Sequence, residues 1–178
     1  MRIQHVLLAV VLTLGVTGLH ASEPHCQPGV GEDRSTTPSG RFERPGNGTV
    51  NDRMTGLQWT QCALGQNWSR DACGGQALAF TWDNARLATR RFNDGGGLAG
   101  YTDWRLPTRE ELAGIVEHCR EAPSINTRVF PDTPWAGFWS SEESRDDPND
   151  AWFVGFYYGV ELAYNKNSSY RVRLVRIP

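Results

Sequence analysis

Lysine is nearly missing from this chain. Lys166 is the single lysine among 18 basic side chains, so arginine carries almost all of the positive charge. The planar guanidinium suits carboxylates, sulfates and phosphates, but it also suits structural ion pairs within a protein. The chain has 20 acidic side chains and a formal net charge of −2. That balance argues against a nucleic-acid partner.

The motifs of common enzymes are missing as well. The cysteines form no C-x-x-C pair, and beyond residue 21 the chain has only His25 and His118, so a zinc site is poorly supported. The sequence contains no nucleophile elbow, no phosphate-binding glycine loop and no metal-dyad spacing. We therefore expect a protein that is not an enzyme.

The long apolar run of this sequence lies at the N-terminus. A positive start at Met1-Arg2 precedes apolar residues 6–16, and Ala21 offers a small residue for cleavage, as in a secretory signal peptide. We expect residues 1–21 to be removed, which makes the net charge −3 because Arg2 is lost. An uncleaved anchor helix is the alternative. No later segment approaches the roughly 20 apolar residues that a membrane span needs.

Residues 22–40 are rich in Pro, Gly, Ser and Thr and read as an irregular lead-in to one domain at 41–178. Four cysteines follow the expected export signal, which favours two disulfides over metal ligation. Three pairings are open. We expect Cys62 to pair with Cys73 across a short loop, and Cys26 to tie the lead-in to Cys119.

Two helices are predicted in the middle of the chain. The first begins after Thr81 and runs to about Phe92, because apolar residues recur at helical spacing before the glycines at 95–97. The second begins at Thr108, which forms a capping-box pattern with Glu111. Its apolar stripe continues to Cys119, and Pro123 ends it.

Short strands are predicted on both sides of these helices. Residues 48–50 and 57–59 form an early hairpin, and residues 151–157 and 160–164 form a second one around a tight turn at Tyr158-Gly159. Residues 138–140 form a short aromatic strand. Residues 170–177 alternate arginine with apolar residues, as a half-exposed closing strand does. The order of these elements indicates an α+β domain.

Four groups of motifs in this sequence carry a resemblance to a known family. They are G-T-V-x-D-x-x-T-G-L-x-W at 48–59, G-Y-T-D-W-R-L-P-T-x-x-E-L at 100–112, I-N-x-x-V-F-P at 125–131 with F-W-S-S at 138–141, and a tail of A-W-x-V-x-F-x-x-G at 151–159 with Y-R-V-R-L-V-R at 170–176. In this order they resemble the Lcl C-terminal domain, and together they span residues 42–176.

The resemblance implies a C-type-lectin-like fold, with two helices packed on short antiparallel sheets and two disulfides. The family's adhesin member uses this domain to bind sulfated glycosaminoglycans and assembles as a trimer. A homotrimer is therefore an expectation by resemblance. This chain lacks the Gly-x-y collagen tract of that adhesin, so trimerisation and adhesion need independent support here.

Ligand-contacting residues are sought among the tryptophans and arginines. Trp68 and Trp135 lie in predicted loops and are candidates for stacking on a sugar, although packing in the interior is the alternative. Arginines could form a positive face for a sulfated polysaccharide on the first helix or on the last strand. The alternative is that they are solubilising and ion-paired. The candidates are Arg86, Arg90, Arg171 and Arg173.

An acidic loop at 142–150 is the candidate calcium site. It offers Asp146, Asp147, Asn149 and Asp150 as oxygen ligands. Calcium takes 6–8 oxygens, so water or another loop would have to complete the site. The alternative is a solvated acidic loop without a metal.

The sequence as a whole predicts an exported binding module, periplasmic or secreted, for a glycan or a surface partner. A sulfated polysaccharide is the expected form of that glycan. The alternative is a structural or assembly protein of the bacterial cell envelope that binds a protein partner.

Overall fold

A computed structural model describes residues 26–27 and 32–178; the expected signal peptide at 1–21 and the start of the lead-in lie outside them. The domain is α+β, as predicted. Its helices are α1 (Trp82–Asp94) and α2 (Arg109–Ala113), with 3-10 turns at Glu32–Arg34 and Ser39–Arg41. Its strands are β1 (Phe42–Glu43), β2 (Thr49–Asp52), β3 (Gln58–Thr60), β4 (Asn67–Ser69), β5 (Ala72–Gly74), β6 (Gly137–Glu143), β7 (Asp150–Gly155), β8 (Val160–Asn165) and β9 (Val175–Arg176).

The strands form three small sheets, and all of the pairings between them are antiparallel. Strands β1-β2-β3-β9 form a four-stranded sheet, β4-β5 form a two-stranded ribbon, and β6-β7-β8 form a three-stranded sheet. The early hairpin is confirmed, because Val50 lies opposite Trp59. The β7–β8 hairpin is confirmed with a longer connection than predicted.

That connection spans residues 156–159 and is not a two-residue turn. Phe156 leaves the ladder because its ring is fully buried, and its N–H donates to the carbonyl of Ala136 at 2.9 Å. Phe156, which the sequence pattern assigned to the strand, is therefore part of the hydrophobic core and lies outside the strand. Gly159, with a φ of 71°, completes the turn.

The β6-β7-β8 sheet separates two hydrophobic cores. Phe138 and Val154 are opposite one another on the face toward the larger core, which also receives Ile115 and Trp59. Neighbouring residues on the strands face the other way, into a core built with α1. That second core contains Trp82, Ala85, Trp104, Leu106, Trp139, Ala151, Phe153, Val172 and Leu174.

Both predicted disulfides are confirmed. Cys62 bonds to Cys73, which joins the end of β3 to β5, and Cys26 bonds to Cys119. No cysteine is free. Two disulfides fit a protein of an oxidising, extracellular-type compartment. In the part of the chain that the structure describes, no helix has the length and apolar character to span a membrane.

Helix α1 matches its prediction, whereas α2 is shorter than predicted. The capping box at Thr108 is present: its hydroxyl accepts from the Glu111 N–H at 3.1 Å, and the Glu111 carboxylate accepts from the Thr108 N–H at 2.8 Å. The helix nevertheless ends at Ala113, not near Pro123. Val116 instead forms an isolated antiparallel bridge with Ile125. The chain therefore reverses direction after α2, and this reversal, in place of a longer helix, buries the apolar stripe.

The prediction of a half-exposed closing strand at 170–177 is wrong. Only Val175–Arg176 join a sheet, and every residue from 172 to 176 is buried. The segment crosses between sheets, because Tyr170 bridges Phe80 and Arg171 bridges Phe138 before β9 reaches β3. Both sides of the segment are consequently covered by protein.

Candidate ligand-binding site

An open groove runs between α1 and the segment that leads into α2. It has a volume of about 490 Å³, and two of the arginines proposed from the sequence contribute to its wall. The lining residues are Arg86, Thr89, Arg90, Asn93, Trp104, Arg105, Leu106, Thr108 and Ser141. We refer to this feature as the α1 groove.

The anchoring of α1 determines which residues reach the groove. Trp82 is buried, and its indole N–H donates to the carbonyl of Ser140 at 2.9 Å. Ala85 is fully buried against the same core. One face of α1 is thereby fixed to the second core, which leaves Arg86 and Arg90 exposed one helical turn apart beside it.

The far end of α1 is held to the other wall of the groove. The Asn93 side chain donates to the carbonyl of Trp104 at 2.8 Å and accepts from its N–H at 3.2 Å. The indole of Trp104 is almost completely buried. This pair of hydrogen bonds fixes the distance between the two walls, so the groove is formed before any ligand arrives.

The charge of the α1 groove is positive. Of its three arginines, Arg105 is neutralised by Glu111, whose carboxylate lies 2.7 Å from its guanidinium. The same pairing, through its hydrogen bonds, lowers the pKa of Glu111 and raises that of Arg105. Within residues 26–27 and 32–178, Arg86 and Arg90 form no ion pair, and no carboxylate lines the groove.

Arg86 is partly positioned by an aromatic contact. Its guanidinium carbon lies 4.9 Å from the ring centroid of Trp82, a distance at which a cation is attracted to a tryptophan face. The N–H groups of the guanidinium stay available in this contact, because the ring attracts the cation through its face and does not accept the in-plane hydrogen bonds that a carboxylate would. Arg86 therefore combines a defined position with unused donors.

The two arginines proposed on the closing segment do not reach the groove. Arg173 is fully buried: it donates to the carbonyls of Thr60 and Gln61, and to the Thr133 hydroxyl at 2.7 Å. Burial lowers its pKa to about 9. Arg171 is half-buried, and its Nε is enclosed without a hydrogen-bond partner among the residues that the structure describes. The positive strand face expected from the sequence is absent here, because that strand is covered on both sides.

The two candidate tryptophans lie in separate places. Trp68 is half-buried in β4, donates to the carbonyl of Gly46 at 3.3 Å and borders a cavity of about 230 Å³. Trp135 is 61% exposed and stacks on Tyr157, with ring centroids 5.5 Å apart and planes inclined by 18°. Neither tryptophan lines the α1 groove.

The proposed calcium ligands form a turn between β6 and β7. Asp146, Asp147 and Asn149 are exposed, and Asp150 is half-buried. One oxygen of Asp147 accepts from the N–H and the side-chain amide of Asn149, at 2.8 and 3.0 Å. Among the described residues, the grouping of potential ligand atoms within 4.8 Å of one another is Cys26, Glu117 and Cys119, whose sulfurs are already bonded. Calcium binding stays a prediction.

The groove also contains residues that the sequence did not suggest as contacts. Thr89, Arg105 and Ser141 come from α1, the strand-like segment before α2, and β6. Thr89 could have been found, since it lies one turn from Arg86 on the same side of the helix. Ser141 could not, because nothing local places β6 beside α1.

The fold and the groove define a small α+β domain with two disulfides and a preformed, arginine-lined cleft. A match to the Lcl C-terminal domain covers residues 48–176, and the chain belongs to that family. A comparison with curated proteins finds no match.

Proposed function

We propose that this chain is an exported, non-catalytic binding module that holds an anionic polysaccharide in the α1 groove. The observation that carries the proposal is the pair Arg86 and Arg90, which project into a groove without a carboxylate to neutralise them. A sulfated polysaccharide is the ligand class that this arrangement fits best. The protein would act in the periplasm or outside the cell.

The chemistry of the groove supports a chain of repeated anions. A guanidinium can donate two parallel hydrogen bonds to a sulfate or carboxylate. Residues four apart on a helix have Cβ atoms roughly 5–6 Å apart, so Arg86 and Arg90 can contact neighbouring charged groups of one saccharide. The exposed Ser141 hydroxyl in the same groove offers a partner for a sugar hydroxyl, whereas the buried Thr89 hydroxyl donates to the carbonyl of Ala85 at 2.8 Å.

The overall charge of −2 does not oppose this assignment. Electrostatic attraction acts over about 8–10 Å at physiological ionic strength, so the local charge of the groove governs an approaching anion. Membership of the Lcl C-terminal domain family supports an adhesin-like role and a C-type-lectin-like fold.

The test is the affinity of the purified domain for heparin-like and neutral oligosaccharides, with charge reversal in the groove. We expect Arg86→Glu/Arg90→Glu to weaken heparin binding at least tenfold per side chain, since a hydrogen bond to a charged group contributes about 1.5–3 kcal/mol. Isothermal titration at two salt concentrations measures this loss. Binding to the unaltered chain should also fall as salt rises.

Arg91→Glu is the matched control, because Arg91 is exposed on α1 and does not line the groove. It makes the same charge change as either single substitution in the groove, on the same helix, and should leave affinity within about twofold, the size of a screened surface charge effect. A loss equal to that caused by Arg86→Glu or Arg90→Glu alone would show that only overall charge matters. Binding of neutral glycans alone would remove the anionic assignment.

A protein partner in the cell envelope is the second candidate function. Exposed aromatics favour it: Trp135, Tyr157 and Tyr158 are adjacent and 61%, 39% and 63% exposed. Aromatic residues are enriched in protein interfaces. If this function holds, a defined envelope partner should bind the Arg86→Glu/Arg90→Glu variant as well as it binds the unaltered chain.

A further inference from the structure

A second cavity of this domain lies beside Trp68, one of the two tryptophans that the sequence offers for stacking on a ligand. It has a volume of about 230 Å³. The large apolar side chains in its wall are Leu64, Trp68, Phe92, Leu98 and Leu174. None of its lining residues also lines the α1 groove. We refer to this feature as the Trp68 cavity.

The wall of the Trp68 cavity carries no charge. Among the residues that the structure describes, no aspartate, glutamate, lysine, arginine or histidine lines it. A charged ligand would lose its hydration on entry without meeting an opposite charge, and such a transfer is costly. The lining therefore selects against the anions that suit the α1 groove and indicates an uncharged ligand.

The two polar side chains of the wall that are not exposed, Thr60 and Gln66, already have hydrogen-bond partners. The Thr60 hydroxyl donates to the carbonyl of Cys62 at 2.9 Å. The side-chain amide of Gln66 accepts from the Ala63 N–H at 3.0 Å and donates to the carbonyl of Asp132 at 3.2 Å. A ligand with several polar groups would leave them unpaired here, so the fitting ligand is mainly apolar.

The wall is fixed before a ligand arrives. Cys62 is bonded to Cys73. The Leu64 N–H donates to the carbonyl of Val172 at 2.8 Å, and the Leu64 carbonyl accepts from the Leu78 N–H at 2.9 Å. The segment that carries Leu64 is thus held on both sides. A preformed site loses little conformational freedom on binding, which favours affinity for a small ligand.

Trp68 is positioned so that its ring is what it offers to the cavity. Its indole N–H is already used, because it donates to the carbonyl of Gly46 at 3.3 Å. Gly48 packs closely on the same side chain: a Cβ at residue 48 would lie 3.1 Å from Cβ and Cγ of Trp68. Phe92 adds a second aromatic ring to the wall.

We propose that the Trp68 cavity binds a small uncharged molecule built on one aromatic ring, which packs against the indole of Trp68. An engineered apolar cavity of roughly 150 Å³ takes up benzene, so about 230 Å³ has room for one ring with a small substituent. Aromatic rings gain attraction from offset-stacked or edge-to-face contacts with one another. This site goes beyond the polysaccharide proposal, because it lies outside the α1 groove.

Toluene and benzoate are the probes that test the unaltered protein, since they differ only by a methyl group in place of a carboxylate. The readout is the indole N–H signal of Trp68 in a proton–nitrogen NMR spectrum, assigned by its absence from Trp68→Phe. Toluene should shift this signal saturably, with a dissociation constant on the order of 1 mM or below. Benzoate should cause no saturable shift.

Methylcyclohexane tests the preference for a flat ring. It buries a similar apolar area but has no aromatic face, so it should bind about two- to tenfold more weakly than toluene. Equal affinity for methylcyclohexane and toluene would overturn the assignment to aromatic ligands.

Leu98→Trp should abolish the toluene shift, because a larger side chain at this half-buried wall position fills the cavity. Leu78→Trp is the matched control: Leu78 is 48% exposed and does not line the cavity, so toluene should bind this variant as it binds the unaltered chain. The toluene–benzoate comparison needs no substitution and decides the proposal even where Leu98→Trp disturbs folding. No saturable shift with toluene, or an equal shift with benzoate, would overturn the site, and heparin binding would be unaffected by either result.

Discussion

Glu117 shows how one buried side chain holds the lead-in to the domain. Its carboxylate is fully buried and accepts from the Ser35 hydroxyl at 2.6 Å, from the N–H groups of Thr36 and Thr37, both at 2.9 Å, and from the Cys119 N–H at 3.0 Å. Burial by itself would raise the pKa of Glu117. The hydrogen bonds outweigh it and lower the pKa to about 2.

This pKa makes the stability of the fold dependent on acid. Because the folded pKa lies below the ordinary 4.5, the ionised carboxylate stabilises the fold above pH 4.5, and that contribution is lost as the pH falls toward 2. The shift corresponds to about 3 kcal/mol. We expect Glu117→Gln to lower the free energy of unfolding at pH 7 by about this amount and to flatten its decline between pH 4.5 and 2.

Urea unfolding at pH 7, 4.5 and 2.5 measures both effects. Glu121→Gln is the control, since Glu121 is exposed four residues away, and its unfolding curve should follow that of the unaltered chain. A decline of equal steepness in Glu117→Gln would mean that other carboxylates cause the acid sensitivity.

At the scale of elements, the turn between β7 and β8 depends on a glycine for two separate reasons. Gly159 has a φ of 71°, a conformation that side chains other than glycine rarely adopt. A Cβ at this position would also lie 2.5 Å from a methyl carbon of Val116. The turn thus packs directly on the larger core, against the segment that follows α2.

Gly159→Ala should therefore lower the stability of the fold by more than the strain of a positive φ alone would. The backbone cost is about 1–2 kcal/mol, and overpacking of the core adds roughly 1–3 kcal/mol. Gly46→Ala is the control because Gly46 has a φ of 81° and no atom within 4 Å of an added Cβ. Thermal unfolding of both variants should separate the two costs; similar shifts would mean that Val116 moves aside freely.

Local sequence signals predicted an element well where the interactions that define it are made between residues of that same element. The capping box at Thr108 and Glu111 is such a case, as is the one-turn spacing of Arg86 and Arg90. The end of α2 was not predictable, because Ile115 and Val116 are buried either by a longer helix or by a turn. Which of the two occurs depends on Glu117 meeting the lead-in some 80 residues away.

At the scale of the whole molecule, the interior has two cores on opposite faces of one sheet. This arrangement explains why the prediction for residues 170–177 was wrong. An alternation of arginine and apolar residues indicates a strand with one solvent-exposed face only when no other part of the protein covers the arginine side. Arg173 lies under the 129–133 segment, where the Thr133 hydroxyl and the Phe130 ring replace solvent on one side, and the carbonyls of Thr60 and Gln61 replace it on the other. No pattern within residues 170–177 encodes that cover.

The single lysine gives the molecule a built-in reporter of local opening. A lysine-specific protease could cut the chain at one peptide bond only, after Lys166. In the folded state this residue is tied on both sides: its N–H donates to Asn149, and its carbonyl accepts from the Trp82 N–H at 2.9 Å. Cleavage therefore requires α1 and the β7–β8 hairpin to part at this point, and its rate measures how often the second core opens there while the rest of the chain stays folded.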